Sequence, residues 1–290
     1  MSNGLATTLP ATNYATVLPR ECINGSDADV VDANVDVVNT MYAELLDIEE
    51  IATAALRSYY VDFYLTQSLG GGFAQYVFTA PEREEIDAFI RAGLEGMGAA
   101  AHLDLFNRST AAFGSLSEEE AAAYLDGDTE LDGDTDGGVT DAVRLMEELD
   151  GEFDTLLETE DIVALNAAWL RSQADLLILD EEELDHHIAE RVSRIPNLAE
   201  RQAEAAEDDL LDAPEFEVII RGLCDVAGHT LLKITMGDPN YEHDGQTSLA
   251  WHFTTDQGEF LMLDGEDVAV MIHPDTKEIL AAVEFAHQDD

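Results

Sequence analysis

Carboxylates are the residues of this chain best placed to do chemistry. From Asp141 onward apolar residues recur at helical spacing, and Asp150, Asp154 and Glu158 fall at i, i+4 and i+8 with Glu148 and Glu152 beside them. At a helical rise of about 1.5 Å per residue, carboxylates four apart are separated by about 6 Å along the axis, comparable to neighbouring phosphates on a nucleic-acid strand. Like charges at that spacing destabilise a helix by a few tenths of a kcal/mol per pair, roughly, so a stripe of them invites a reason for its presence. Glu181, Glu182 and Asp185 form a second acidic group downstream. The plainer reading of both is a solvated face in an acid-rich chain.

Other chemistries find less support. Asp132, Asp134, Asp136 and Gly137 match positions 1, 3, 5 and 6 of a calcium loop, but Val143 stands where the bidentate glutamate of position 12 belongs. That leaves a weak metal candidate and a more ordinary acidic surface loop. None of the eight histidines forms an HExxH arrangement. His186 and His187 are adjacent on an acidic helix and point apart, whereas His243 and His252 flank a hairpin across which they could meet. Cys22 and Cys224 are far apart in sequence, and no GxSxG, Walker A or dinucleotide fingerprint occurs. The expectation is a protein with no catalytic residues, no metal and no cofactor.

Charge narrows the partners. The 290 residues carry 63 acids against 13 bases, a formal net charge of -50, and only two of the bases, Lys233 and Lys277, are lysines. Such a surface repels nucleic acid and anionic membranes, and it attracts basic protein surfaces. Hydrophobic residues make up 46% of the chain, enough for an ordinary folded core. Two explanations compete: adaptation to molar salt, or a surface that imitates the phosphates of a duplex. The N-terminus has no basic segment leading an apolar run, and no stretch reaches the roughly 18 apolar residues of a membrane span, so a cytoplasmic protein is expected.

The elements that would position these acids follow from periodicity. Residues 1–28 read as a flexible N-terminal arm. Helices are expected over 29–47 and 50–69, the second apolar on most sides and therefore central. Three glycines, Gly70, Gly71 and Gly72, then break it between aromatic clusters: Tyr59, Tyr60, Phe63 and Tyr64 before, Phe73, Tyr76 and Phe78 after. The spacing predicts a helix ending at Leu69, a glycine corner and a short aromatic segment folding back. Gly70, Gly71, Gly72, Phe73, Gln75 and Tyr76 form this structural hinge. Thr79 reads as the N-cap of the next helix, which runs to Gly98, and Ala99–Phe113 as another. Ser117 and Glu120 fit a capping box. Leu145, Leu149, Phe153, Leu156 and Leu157 would face inward on the acidic helix, and Ile162–Ile178 continues helical. Residues 180–212 form an acidic helical linker. Past it, one helix and five short β-rich runs, the last two joined by Pro274-Asp275-Thr276-Lys277, predict an antiparallel sheet. The chain is thus mainly α: a helical domain over 29–179, followed by a small C-terminal α+β domain over 213–290.

Residues from about 39 to 178 resemble the bacterial DNA mimic protein nineteen family. That family has an aromatic helix running into an Asn-Gly-Gly-Phe-x-Gln corner, and here the stretch reads Gly70-Gly71-Gly72-Phe73-Ala74-Gln75-Tyr76, with Gly70 in place of the asparagine. A second patch, Leu149-Asp150-Gly151-Glu152-Phe153 followed by Asn166-Ala167-Ala168-Trp169, agrees in order and spacing. The resemblance implies an all-helical acidic homodimer that occupies the DNA-binding face of a transcription factor. The partner would then be a basic DNA-binding protein, a transcription regulator or nucleoid protein. Asp150, Asp154 and Glu158 are the leading contacts, with Glu148, Glu152, Glu181, Glu182 and Asp185 behind them. The alternative is a halophile-type acidic protein whose function lies in the β-rich C-terminal domain.

Overall fold

The computed structural model describes residues 14–80, 83–126, 141–211, 213–243, 246–265 and 268–284. The chain divides into two compact units, Met1–Leu198 and Ala199–Asp290. The fold is mainly α, with a five-stranded antiparallel sheet at the C-terminal end.

The first unit opens with β1 (Val17–Pro19) and α1 (Asp27–Ala43), then a 3₁₀ turn at Ile48–Glu50. Next come α2 (Thr53–Thr79), α3 (Arg83–Met97), α4 (Ala100–Phe113), α5 (Glu118–Asp126), α6 (Asp141–Leu157) and α7 (Ile162–Arg171). β2 (Leu177–Leu179) and α8 (Glu181–Val192) complete it. Start signals are local. Ser26 caps α1 and exchanges bonds with Asp29 in a capping box, and Ser117 and Glu120 do the same for α5.

α2 is the axis of this unit. Ala55 and Leu56 of its first half, with Ile51 and Ala52 just before it, pack against Val37, Val38 and Met41 of α1 and against Phe89, Ile188 and Ile195. Its second half packs Tyr64, Leu65, Phe73 and Tyr76 against Phe106, Met146, Leu149 and Phe153. Two buried amides grip its backbone: Asn34 of α1 donates to the Ala55 carbonyl at 3.0 Å, and Asn166 of α7 to the Ser58 carbonyl at 3.2 Å. At Gly93 α3 runs so close that an added Cβ would lie 2.7 Å from Val61 Cγ2 and 2.9 Å from the Arg57 carbonyl oxygen.

Several sequence expectations need correction here. The glycine corner after Leu69 is present at Gly71 and Gly72, and Tyr76 packs back on Phe63 and Tyr64, but the returning segment is itself helical as far as Thr79. Thr79 is therefore the end of that helix, its hydroxyl donating back to the Gln75 carbonyl at 2.8 Å, and not an N-cap. Within the segment read as an arm, Val17 and Leu18 are buried and β1 pairs in parallel with β2. Arg171 holds the same region, donating to the carbonyls of Ile23 and Gly25 and pairing with Asp27. A two-residue apolar pair shows no periodicity, so sequence gave it no element. Residues 1–13 lie outside the described residues. The helix expected to run to Ile178 stops at Arg171, because its end joins that same small sheet.

The second unit carries α10 (Glu215–Ala227) and β3 (Leu231–His243), β4 (Gln246–Thr255), β5 (Gly258–Leu263), β6 (Val268–Ile272) and β7 (Ile279–Glu284), paired in that order. α9 (Leu198–Leu211) begins at the division between units. α10 covers one face of the sheet, packing Ile219, Ile220 and Leu223 on Phe253, Met262, Met271 and Ala281. The ammonium of Lys277, in the β6–β7 turn, donates to the Tyr241 hydroxyl of β3. His252 pairs with Met236 and His243 with Gln246, so the two histidines do not face each other.

Two glycines give opposite expectations in chemical denaturation. Gly93→Ala should cost about 1–3 kcal/mol by overpacking. Gly151→Ala, exposed within α6 with nothing near its Cβ position, should gain about 0.5–1 kcal/mol.

Half-buried Asp62 on α2 supplies a pH test. Burial, and secondarily the charge of Asp32, push its carboxyl up to about 6. A folded pKa above the unfolded one gives stability that is complete below about pH 4 and is lost as pH rises through about 6. Asp62→Asn should therefore be more stable than the parent at pH 8, with the difference shrinking toward pH 4 in urea titrations.

Candidate interaction surface

The helix α6 owes its orientation to one carboxylate. Val143, Met146, Leu149 and Phe153 are its buried stripe, and Leu145, expected inside, is 44% exposed. Asp150 lies on the edge of that stripe, four residues after Met146 and three before Phe153, and it points inward. Its Oδ1 accepts from the Phe73 backbone N–H at 2.8 Å, and its Oδ2 from the Tyr124 hydroxyl at 2.8 Å. Burial raises its pKa above the usual carboxylate range, opposed by those two hydrogen bonds. Asp150, placed by sequence among the outward contacts, is thus the internal support of the glycine kink.

The glycines divide by function. Gly72 has φ 68°, and a Cβ there would sit 2.9 Å from the Asp150 Cγ, so conformation and space both require glycine. Gly71 is extended at φ −173°, and Gly70 has nothing within 4 Å of its Cβ position. Phe73 and Tyr76 are buried, and Gln75 reaches back to Gln67 at 3.5 Å. The Tyr76 hydroxyl donates to Asp87 at 2.6 Å, and Arg91 flanks the same carboxylate at 3.3 Å. Sequence periodicity gave Asp87 and Tyr124 no role; their signal was position on an apolar stripe.

With Asp150 turned in, the outward face of α6 presents Glu147, Glu148, Glu152 and Asp154, with Glu158 just past its end. Arg108 of α4 grips Glu152 with both terminal guanidinium nitrogens, Nη1 to Oε2 at 2.8 Å, and donates from Nε to Asp104 at 2.9 Å. Glu152 is therefore neutralised by a partner on the neighbouring helix, and its carboxyl is held below the usual range. Among the described residues, Glu147, Glu148, Asp154 and Glu158 make no ion pair. Glu147 was not singled out in the sequence, although its neighbours were.

Glu181, Glu182 and Asp185 are exposed on α8. The first two occupy the opening turn behind the Asp180–Glu183 capping box, where the helix dipole favours acids. Glu183 pairs with Arg20 at 3.3 Å. α8 packs at the start of α2 and α6 around its kinked end, so the two acidic groups sit on different parts of the unit. Asp132, Asp134 and Asp136 lie outside the described residues. Among the described residues, no group of three or more His, Cys, Asp or Glu is arranged to hold a metal ion, and no helix is long and apolar enough to cross a membrane.

The C-terminal unit contains a cleft of about 420 Å³ lined by Ala206, Arg221, Cys224, Asp225, His229 and Thr230. Burial, with the charge of Asp225, pushes the Cys224 thiol up to about 11, which leaves it protonated and a poor nucleophile at neutral pH.

The kink should be the most sensitive point of the helical unit. Asp150→Ala strands the Phe73 N–H and should cost about 2–4 kcal/mol in urea denaturation; Asp150→Asn keeps an acceptor there and should cost less. Gly72→Ala should be similarly damaging, and Gly70→Ala should fall within about 1 kcal/mol of the parent.

No curated protein and no solved structure matches the chain. A family match exists, and it falls inside the span that carries the sequence resemblance. It takes in the kinked α2, the Asp150 support and α7, and stops short of α8 and the C-terminal unit. Residues 49–173 match the family model of DMP19-like protein.

Proposed function

We propose that this chain is a DNA-mimicking interaction protein that binds a basic DNA-binding protein through acidic helix faces of its first unit and so competes with DNA. The carrying observation is the outward row of Glu147, Glu148 and Asp154 on α6 with Glu158 just past its end, within the family-matched segment and without ion pairs among the described residues. The net charge of -50 supports it, since a field of this sign steers basic partners and repels duplexes. Glu181, Glu182 and Asp185 are a second contact group on α8. Asp150 leaves the contact set and Glu147 enters it. The role is one of binding, without a cofactor, in the cytoplasm.

The reading is tested by competition. The immobilised protein should capture basic DNA-binding proteins at low salt, and added duplex DNA should release them. Joint replacement of Glu147, Glu148, Asp154 and Glu158 by Gln should weaken capture by about tenfold or more and flatten its salt dependence, with the fold intact by circular dichroism. Capture indifferent to both DNA and these substitutions sinks the proposal.

A second reading places the function in the C-terminal unit, favoured by its cleft at Arg221 and His229. A partner that binds residues 199–290 and ignores the α6 substitutions would support that reading instead.

A further inference from the structure

One cleft of the helical unit runs against the sign of the rest of the chain. Arg191, in the last turn of α8, exposes only 7% of its surface, and its guanidinium lies 3.9 Å from the centre of the Tyr14 ring. Its Nη2 is buried without a hydrogen-bond partner. A buried guanidinium ordinarily faces a carboxylate, because desolvating an uncompensated charge costs several kcal/mol, roughly. The chain holds 63 acids, yet among the described residues none forms an ion pair with Arg191.

The charges around it are few. Arg191 feels the charge of Glu50 as attraction and that of Arg194 as repulsion. Tyr14, Leu46, Glu50, Arg191 and Arg194 together line a small cavity of about 60 Å³. Arg194 also bonds Glu190 on its outer side, and Glu50 accepts from the Asp47 backbone N–H at 2.8 Å. One turn back on α8, His187 is held below its ordinary pKa by burial and by Arg191 and Arg194, against the pull of Glu190. The cavity wall itself thus carries two guanidiniums against one carboxylate, in a molecule of strongly negative net charge.

We propose that this cleft is an anion site, taking one compact monovalent anion, a halide or a carboxylate no larger than acetate, between the guanidiniums of Arg191 and Arg194. Its size excludes bulky anions, and Glu50 on its wall disfavours a second negative charge. The anion supplies the acceptor that Arg191 Nη2 lacks, while the Tyr14 ring fixes the guanidinium plane. The site ties the segment at Tyr14 to α8 and is separate from the acidic faces proposed to bind a partner.

The test uses the full chain at constant ionic strength, with gluconate, too bulky for the cavity, replaced stepwise by chloride in one series and by acetate in another. The melting temperature should rise as the compact anion replaces gluconate. A response to chloride alone identifies a halide site, and a response to acetate alone a carboxylate site. Arg194→Gln should lose the rise, whereas Glu190→Gln, which removes only the outer ion pair, should keep it. Glu50→Gln, which can still accept from Asp47, should enlarge it. Equal curves in gluconate, chloride and acetate for the parent protein overturn the proposal. So does a rise of the same size in Arg194→Gln, or a bromide-soaked crystal with no anomalous peak between the two guanidiniums.

Discussion

The helical unit depends on one hydrogen bond that a helix could not provide for itself. Where α2 bends at Gly71 and Gly72, the N–H of Phe73 loses the carbonyl four residues back, and it does so in an apolar interior. An unbonded N–H there costs about 1–3 kcal/mol. Asp150 reaches in from α6 to accept it, and Tyr124 of α5 satisfies the second carboxylate oxygen. Three helices thus converge on one side chain. Because Asp150 must face inward, the rotation of α6 about its own axis is fixed, and with it the identity of the residues that face out. The acidic face follows from the kink.

A buried carboxylate is a costly way to solve that problem. The upward shift of the Asp150 pKa means that desolvation outweighs its two hydrogen bonds in choosing between charged and neutral forms. Asp87 shows the same balance: burial raises its pKa despite the Tyr76 hydroxyl and the nearby Arg91 and Arg83. Buried ionic groups of this kind contribute little net stability and much geometric selectivity. An apolar substitute could fill the volume beneath the kink, but it would leave the Phe73 N–H without an acceptor.

Sequence made the long elements legible because their apolar residues repeat. The capping residue Ser117, the central place of α2 and the antiparallel C-terminal sheet all carry local signals, whereas the Ser26 cap fell inside the segment read as an arm. What stayed hidden was set by partners distant in sequence. The glycine corner was visible, but its support was not: the Phe73 N–H is satisfied by Asp150, 77 residues away. β1 and β2 are each three residues long and exist because they pair with one another. The acidic site was half legible: the stripe was visible, but a count of carboxylates could not separate Asp150, turned in, or Glu152, held by Arg108, from Glu148 and Asp154. Reading the helical positions of Met146, Leu149 and Phe153 first places Asp150 on their side, and makes Glu147 an outward residue.

Salt separates the two explanations of the acidity, because it acts on folding and on binding in opposite senses. Screening beyond a Debye length of about 8 Å at physiological ionic strength relieves the self-repulsion of the coat and favours the fold. The same screening removes the long-range attraction that would draw in a basic partner. A coat that is purely environmental can rely on molar salt, having no partner to lose. A working surface has to stand on a fold that holds at low salt. The contacts at the centre of this unit are short-ranged: aromatic packing around Tyr64 and Phe106, amide grips on α2 and the Asp150 support, none of which needs bulk salt. Arg108, Arg171 and Arg91 are likewise engaged between or within elements, so they stabilise the scaffold while the outward acids of α6 stay unmatched. Cations placed as internal ties, with the carboxylates outside them left open, are the arrangement a surface needs if its field is to be felt by a partner and its fold is to survive the ionic strengths at which that field still reaches.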